Sequence, residues 1–385
     1  LTLDDVRAHY HATVFATGAQ TDRRLGVPGE DLERSHPATE FVAWYNGHPD
    51  FRDRTFDLSV EKVAVVGVGN VAVDVARILC RTPEELERSD IAEHALDALR
   101  ESRVREGVML GRRGAPQAAF TNPEVKELGE LDGADCVTVP GEVAIDPVSL
   151  EALGGEPDRE IARKLDILAS YAVEPPAPKP KRLTLRFGLS PVELRDDGNG
   201  GVGGMRVVRN RLKLRDGKIR AEPTGQFEDL DVARVFRSVG YRGVPLPGVP
   251  FREDWGTIPN DGGRVLDAPG GTAVPGVYVA GWIKRGPSGV IGTNKPDAGE
   301  TVDRILEDAA SGLLTAPVVG GRDAIDRTLV DRGARPVSFD DWLRVDGAEI
   351  AAGESRARPR VKEITLGEVE RIHGRCRSRR AAPSG

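Results

Sequence analysis

The sequence predicts an α/β fold of three-layer units with central parallel sheets, one interrupted by an antiparallel excursion, and three observations predict it. The first is Lys62 to Asp74, KVAVVGVGNVAVD. The β-branched run Val63 to Val66, the turn Gly67-Val68-Gly69-Asn70-Val71-Ala72 and the apolar segment Val73 to Leu79 read as a buried strand, a tight turn and a helix. The second is a run of short β segments from Arg182 onward, broken by Asp196 to Gly201 (DDGNGG) and by Asp216-Gly217. The third is a pair of turn-rich exits, Gln20 to Glu30 and Tyr241 to Pro250, at which the chain leaves one unit and returns to it. These place the boundaries at 1–22, 23–239 and 240–385.

Composition excludes several classes. At 385 residues two domains fit, and 39% apolar with 30% charged residues describes an ordinary globular chain rather than a disordered one. No apolar run approaches the roughly 20 residues that span a bilayer, and LTLDDVRAHY lacks the basic and apolar regions of a signal peptide. The expectation is a cytoplasmic protein without a membrane span. A net charge of −7 indicates no nucleic-acid partner, although Arg371 to Arg380 is locally basic. Cys80, Cys136 and Cys376 form no Cys-x-x-Cys, which removes a redox dithiol and any Cys-rich iron–sulfur or zinc site, so no metal is expected.

In chain order, Ala8 to Gly18 reads as a strand closing in Ala16-Thr17-Gly18, where small residues let a ligand lie against the backbone. Thr39 to Asn46 carries Phe41, Trp44 and Tyr45 at helical spacing, core aromatics on one face. Thr82 to Arg105 has helical apolar spacing and delays the next strand, Gly107 to Leu110. Asn122-Pro123 opens a helix with Glu124 and Glu127 on one face. Those carboxylates suit the helix dipole as readily as they suit a ligand. A further helix starts near Arg159, and Glu174 to Lys181 (EPPAPKPK) is a spacer or exposed loop. Leu183 to Gly188, Gly203 to Asn210 and Arg211 to Asp216 are short strands, and Ala233 to Gly240 is a buried one. The strand Val277 to Ala280 stops at Gly281-Trp282, and a loop with Gly286, Gly289 and Gly292 leads to a helix that Asp297 could cap. Amphipathic helices at Ala298 to Ala310 and Phe339 to Val345 follow.

The chemistry sits in three places. In the central turn, Gly67 permits the bend, Gly69 lets a pyrophosphate approach the backbone, and Ala72 lets helix pack on strand, with the anion at the helix N-terminus. A plain Gly-rich turn can show the same string. At the end of the second strand an acid would hold the 2′-hydroxyl of NAD, whereas this chain has Arg112 and Arg113, whose guanidinium forks suit the 2′-phosphate of NADP. Paired loop arginines can also be merely solvated. The Gly281 to Gly292 loop offers a flat surface for a planar cofactor, with Trp282 as its aromatic wall or as core filler.

Together, FATGAQTDRRLGVPGEDL, GVGNVAVDVARIL, GRRGAPQAAFTNPEVKEL, VFRSVGYRG and VYVAGWIKRGPSGVIGTNK resemble the adrenodoxin-reductase-like ferredoxin–NADP reductases, closest to actinobacterial members, from Ala8 to about Lys362. The resemblance implies two interleaved Rossmann-like dinucleotide-binding domains, FAD and NADP as cofactors, and electron flow from NADPH through FAD to ferredoxin or a similar iron–sulfur carrier. It implies that Val68, Gly69, Asn70 and Val71 contact the NADP pyrophosphate, that Arg112 and Arg113 bind its 2′-phosphate, and that Glu124 and Arg23 touch the same nucleotide. Trp282, Gly289, Val290 and Ile291 match the family's flavin-contacting loop. Glu127 matches an acidic residue near the nicotinamide, whose family partner histidine has no counterpart here.

Family members open with a strand–Gly-x-Gly-x-x-Gly–helix for the ADP half of FAD, absent from these 385 residues, so the first domain is expected to be incomplete and residues 1–22 its remnant. A non-catalytic NADP-binding remnant and a glutamate-synthase-type domain are the alternatives. The latter would carry N-terminal cysteine clusters. An acidic carrier would dock on a basic patch, for which Lys284-Arg285, Arg206 to Arg215 and the tail are the candidates.

Overall fold

The structure is a computed structural model that describes residues 1–289, 291–334 and 336–372. Its contacts divide the chain into two compact units. One comprises Leu1–Arg23 and Gly240–Ser338, the other Arg24–Val239 with the segment from Phe339 onward.

The larger unit is built on a six-stranded, all-parallel sheet in the order Ser35–Pro37, Arg234–Arg237, Lys62–Val66, Glu106–Gly111, Lys181–Phe187, Ala134–Thr138. Lys62–Val66 lies inside it, and Val63 to Val66 are at most 4% exposed, because a parallel strand covered on both faces needs an unbroken apolar run. The alternation of its side chains sorts the two faces. Val63 and Val65 join a cluster with Phe41, Leu79, Leu96 and Met109, contributed largely by the helices Ala38–Tyr45, Asn70–Cys80 and Glu93–Arg100. Ala64 and Val66 join a second cluster with Leu189, Val202, Met205 and Val207. These come from a three-stranded antiparallel sheet, Leu189–Asp196, Val202–Arg215 and Lys218–Leu230, so the layers here are helices, parallel sheet and antiparallel sheet.

That antiparallel sheet differs from the short segments expected. Gly203 to Asn210 and Arg211 to Asp216 form one strand, Val202–Arg215, and the return strand Lys218–Leu230 has no counterpart in the sequence reading. Its alternating Lys, Arg and Glu carry little apolar signal, since pairing with Val202–Arg215, rather than burial, holds it in place. Thr82 to Arg105 contains two helices, Pro83–Glu87 and Glu93–Arg100.

The smaller unit has a four-stranded sheet in the order Thr13–Phe15, Ala273–Val279, Arg264–Leu266, Asn260–Asp261, of which only the first pair is parallel. The expected strand from Ala8 is shortened to Thr13–Phe15 because Leu3–His9 is a helix, started by a reciprocal cap between Thr2 and Asp5. Val265, Val277, Val279 and Ile283 form the small core.

The expected boundary that placed 240–385 in one domain departs from the structure. The C-terminal segment from Phe339 groups with the larger unit, where the buried Arg358 pairs with Glu93 and donates to the Ser89 carbonyl at 3.2 Å. Lys362 there reaches Asn46 at 3.3 Å. The basic tail beyond Ile372, with Cys376, lies outside the described residues. No helix among the described residues is long and apolar enough to cross a membrane.

Candidate active site

The glycine turn is locked by its own sheet. Gly67 has φ +139°, and a Cβ there would lie 2.1 Å from the Ser238 carbonyl oxygen, so only glycine fits where the neighbouring strand end crosses. Its N–H donates to the Leu110 carbonyl at 2.9 Å. Gly69 differs: its φ of −106° suits any residue, and a Cβ would meet nothing within 4 Å. It borders open space that a ligand can enter. Ala72, fully buried, lets the helix sit close on the strand. The helix Asn70–Cys80 starts from Gly69 with no side-chain cap and no acid in its first turn, so its first N–H groups and dipole are available to an anion. Asn70 turns its side chain away, its Oδ1 accepting the Thr121 N–H at 2.9 Å. The Val68 carbonyl accepts from Ala119 at 2.8 Å and from Phe120 at 3.0 Å. Val71 is partly buried against the core.

Arg112 and Arg113 follow the strand Glu106–Gly111, and their loop is held by backbone carbonyls: Arg112 O accepts from Asn210 Nδ2 at 2.8 Å and Arg113 O from the Gly188 N–H at 3.0 Å. Neither guanidinium has a carboxylate within 4.0 Å among the described residues. Arg113 is half-buried, and burial, then the neighbouring Arg112 charge, lowers its pKa below the usual arginine value. Two adjacent cations, one partly desolvated and neither neutralised, are stabilised by a bound polyanion. Both line a cavity of about 550 Å³ together with Gln117, Leu153 and Ile161.

The acidic pair is engaged by a residue that the sequence reading did not single out. Arg77, on the glycine-turn helix, contacts Asp74, Glu124 at 2.9 Å, and Glu127. The i, i+3 spacing of Asp74 and Arg77 was the available signal; the junction with Glu124 and Glu127, about 50 residues on, was not.

In the smaller unit the glycine loop is propped by side chains. Gly281 has φ +76°, and its N–H donates to Asp297 Oδ2 at 2.6 Å. Asp297 therefore is not a helix cap, as expected from sequence: the helix spans Ile291–Ala310 and holds Asp297 inside. A Cβ on Gly289, φ +79°, would lie 2.2 Å from Thr293 Oγ1. Trp282 is not core filler. Partly exposed, its ring stacks on Tyr241 at 5.9 Å and 9°, and Nε1 donates to the Ser288 carbonyl at 3.2 Å. Val290 lies outside the described residues, and Ile291 opens the helix. Arg23 donates its N–H to Gly240 O at 2.8 Å and Nη2 to Trp255 O at 3.3 Å.

The structure also thins the candidate docking cations. Lys284, 8% exposed, is bound to Glu300 at 2.8 Å and Thr301 at 3.1 Å, and Arg285 reaches Asn294 at 2.7 Å. In the Arg206 to Arg215 run, Arg209 pairs with the buried Glu142, and Lys213 and Arg215 with Glu222.

An open glycine turn before an uncapped helix, with unneutralised arginines at the end of the next strand, defines the class: a dinucleotide-binding α/β protein. No protein-family profile matches the sequence. The chain is 43% identical over 377 residues to NADPH-ferredoxin reductase FprA of Mycobacterium tuberculosis, spanning 96% of this chain and 79% of that protein. It is 40% identical over 384 residues to human mitochondrial NADPH:adrenodoxin oxidoreductase, spanning 97% and 76%. The solved structure of M. tuberculosis FprA in complex with NADPH superposes with a TM-score of 0.88 at 42% identity, covering 97% of this chain and 81% of that one. This chain belongs to the adrenodoxin-reductase-like family of NADPH–ferredoxin reductases.

Proposed function

We propose that this chain is an NADPH-dependent flavoprotein reductase that passes electrons through FAD to ferredoxin or a similar iron–sulfur carrier, the activity named for its relatives. The observation that carries the nucleotide choice is the unneutralised pair Arg112 and Arg113 beside an open, uncapped glycine turn. Gly67, Val68, Gly69, Asn70 and Val71 hold the pyrophosphate, with helix N–H groups aimed at it and Gly69 leaving room for it. Arg112 and Arg113 take the 2′-phosphate, and Glu124 and Arg23 complete the nucleotide's contacts. Arg77 fixes Glu127 for its place near the nicotinamide.

The loop from Gly281 to Gly289, with Trp282, faces the flavin, and its fit rests on the Tyr241–Trp282 stack and the left-handed glycines. FAD held there would supply the conversion between two-electron and one-electron transfer that no side chain of this chain can provide. The chain's own part is to bind, orient and discriminate. A cytoplasmic location belongs to the same reading.

The function is tested by NADPH-driven reduction of ferricyanide and of a ferredoxin by the flavin-loaded protein. Activity equal with NADH, or none with either nucleotide under flavin saturation, would refute it.

A further inference from the structure

Arg112 and Arg113 do not line their cavity alone. Its far border is the turn end of the long hairpin, Gly217 to Ala221. Lys218–Leu230 is the edge strand of its sheet, so residues of both its faces border the space: Ile219 and Ala221 with Leu153 and Ile161 on the apolar side, Lys218 and Arg220 as charges. The hairpin carries further cations, and their pairing is selective. Glu222 takes Lys213 at 2.6 Å and Arg215 at 2.5 Å. Lys218 and Arg220 are exposed and make no ion pair or side-chain hydrogen bond among the described residues. Lys218 and Arg220 are thus unpaired cations that border the cavity of the unpaired loop arginines; the exposed turn residue Asp216 adds one negative charge beside them, and Arg211, exposed and also without an ion pair among the described residues, does not line the cavity.

The hairpin is also braced against the arginine loop. Asn210, on its first strand, donates to the Arg112 carbonyl and to Ser190 Oγ, both at 2.8 Å. Arg186, on the parallel sheet, bridges the buried Glu142 at 3.0 Å and Glu228 of the return strand at 2.9 Å. The base of the hairpin is therefore tied to the sheet that carries Arg112 and Arg113, which keeps its end at the cavity.

We propose that Lys218 and Arg220 are the second half of the 2′-phosphate site, so that four cations from two separate elements select the phosphorylated adenosine. This rests on the NADPH reading above, and it adds specificity residues that the glycine-turn and arginine-loop signals do not contain. The hairpin charges are exposed, so their share is smaller than that of Arg112 and Arg113 and falls with added salt.

The test is calorimetric binding of 2′,5′-ADP and of 5′-AMP, which differ by the 2′-phosphate alone and need no flavin. In K218A/R220A the affinity for 2′,5′-ADP is expected to fall roughly 5- to 10-fold, about 1 kcal/mol, with 5′-AMP within about twofold. The charge-keeping K218R/R220K is expected to recover most of the loss. No change in K218A/R220A, or equal losses for both ligands, would overturn the proposal. R112A/R113A separates it from the underlying reading: if that variant binds 2′,5′-ADP like the parent protein, the NADPH assignment itself fails.

Discussion

The two glycine loops solve different problems. At Gly67–Ala72 the backbone is determined by backbone: a carbonyl of the adjacent strand end stands where a Cβ would be, and the turn is complete without help from any charged side chain. At Gly281–Gly289 the left-handed glycines are held by side chains from the following helix, Asp297 on the Gly281 N–H and Thr293 against Gly289, with Lys284 and Arg285 beside Asp297 at 3.5 and 3.6 Å. The first loop is a rigid part of the sheet. The second is only as fixed as its ion pairs, which makes it the loop that responds to charge.

The largest effect expected is Gly67→Ala. A methyl 2.1 Å from the Ser238 oxygen at φ +139° requires the strand end to move, costing about 3 kcal/mol or more, read as a lower midpoint in denaturant unfolding. An unchanged midpoint would mean that the backbone does not determine this turn. R112A/R113A is expected to raise the KM for NADPH roughly 100-fold and that for NADH less than about threefold, from the loss of charge-assisted bonds to phosphate. Equal changes would move the 2′-phosphate elsewhere.

Acid separates the units next. Burial, then the charges of Arg234, Arg237 and Arg54, lowers the pKa of His36 to about 4 in the larger unit. The unfolded chain takes up this proton near pH 6.5 and the folded one only near 4, so stability rises with pH across that window and is lost on acidification through it, by on the order of 2–3 kcal/mol. Unfolding of wild type against His36→Gln from pH 4 to 6.5 checks this, and a slope common to both proteins would remove His36 as its source.

Asp297→Ala leaves the Gly281 N–H unpaired and weakens the charge balance at the buried Lys284, an expected loss of about 2 kcal/mol confined to the smaller unit. Hydrogen exchange that slows or stays constant at residues 276–286 would contradict it. The smallest structural effect belongs to Gly69→Ala: with ordinary φ and no neighbour, stability should stay within about 0.5 kcal/mol while nucleotide affinity drops, because the methyl occupies the ligand's space. Retained affinity would show that the nucleotide does not approach this turn.

What could be read in advance follows the range of the interactions. The strand Lys62–Val66, its glycine turn and the helix beyond are local in sequence, with β-branched run, Gly-x-Gly and small residue in succession, so pattern and fold coincide. The helix Ala38–Tyr45 with its core aromatics was legible for the same reason, as was the existence of an antiparallel excursion, though not its return strand Lys218–Leu230. The place of Arg112 and Arg113, directly after a strand, was legible in the same way.

Only the tertiary structure decided the rest. Asp297 looked like a cap because its partner, Gly281, is 16 residues away and is brought near by the return of the helix. Lys284 looked like a surface cation until Glu300 and Thr301 were seen to cover it. Arg77 gathers carboxylates some 50 residues apart. Lys218 and Arg220 reach the cavity of Arg112 and Arg113 across about 100 residues of chain. Charges and exposed strands carry no periodic apolar signal, and what neutralises them, or leaves them unneutralised, depends on which distant element folds alongside. The sequence by itself determined the strand, tight turn and helix of residues 62–80, whose signals are local; the placing of a polar hairpin beside the loop of Arg112 and Arg113 was decided by the tertiary structure, because its contacts are distant in sequence.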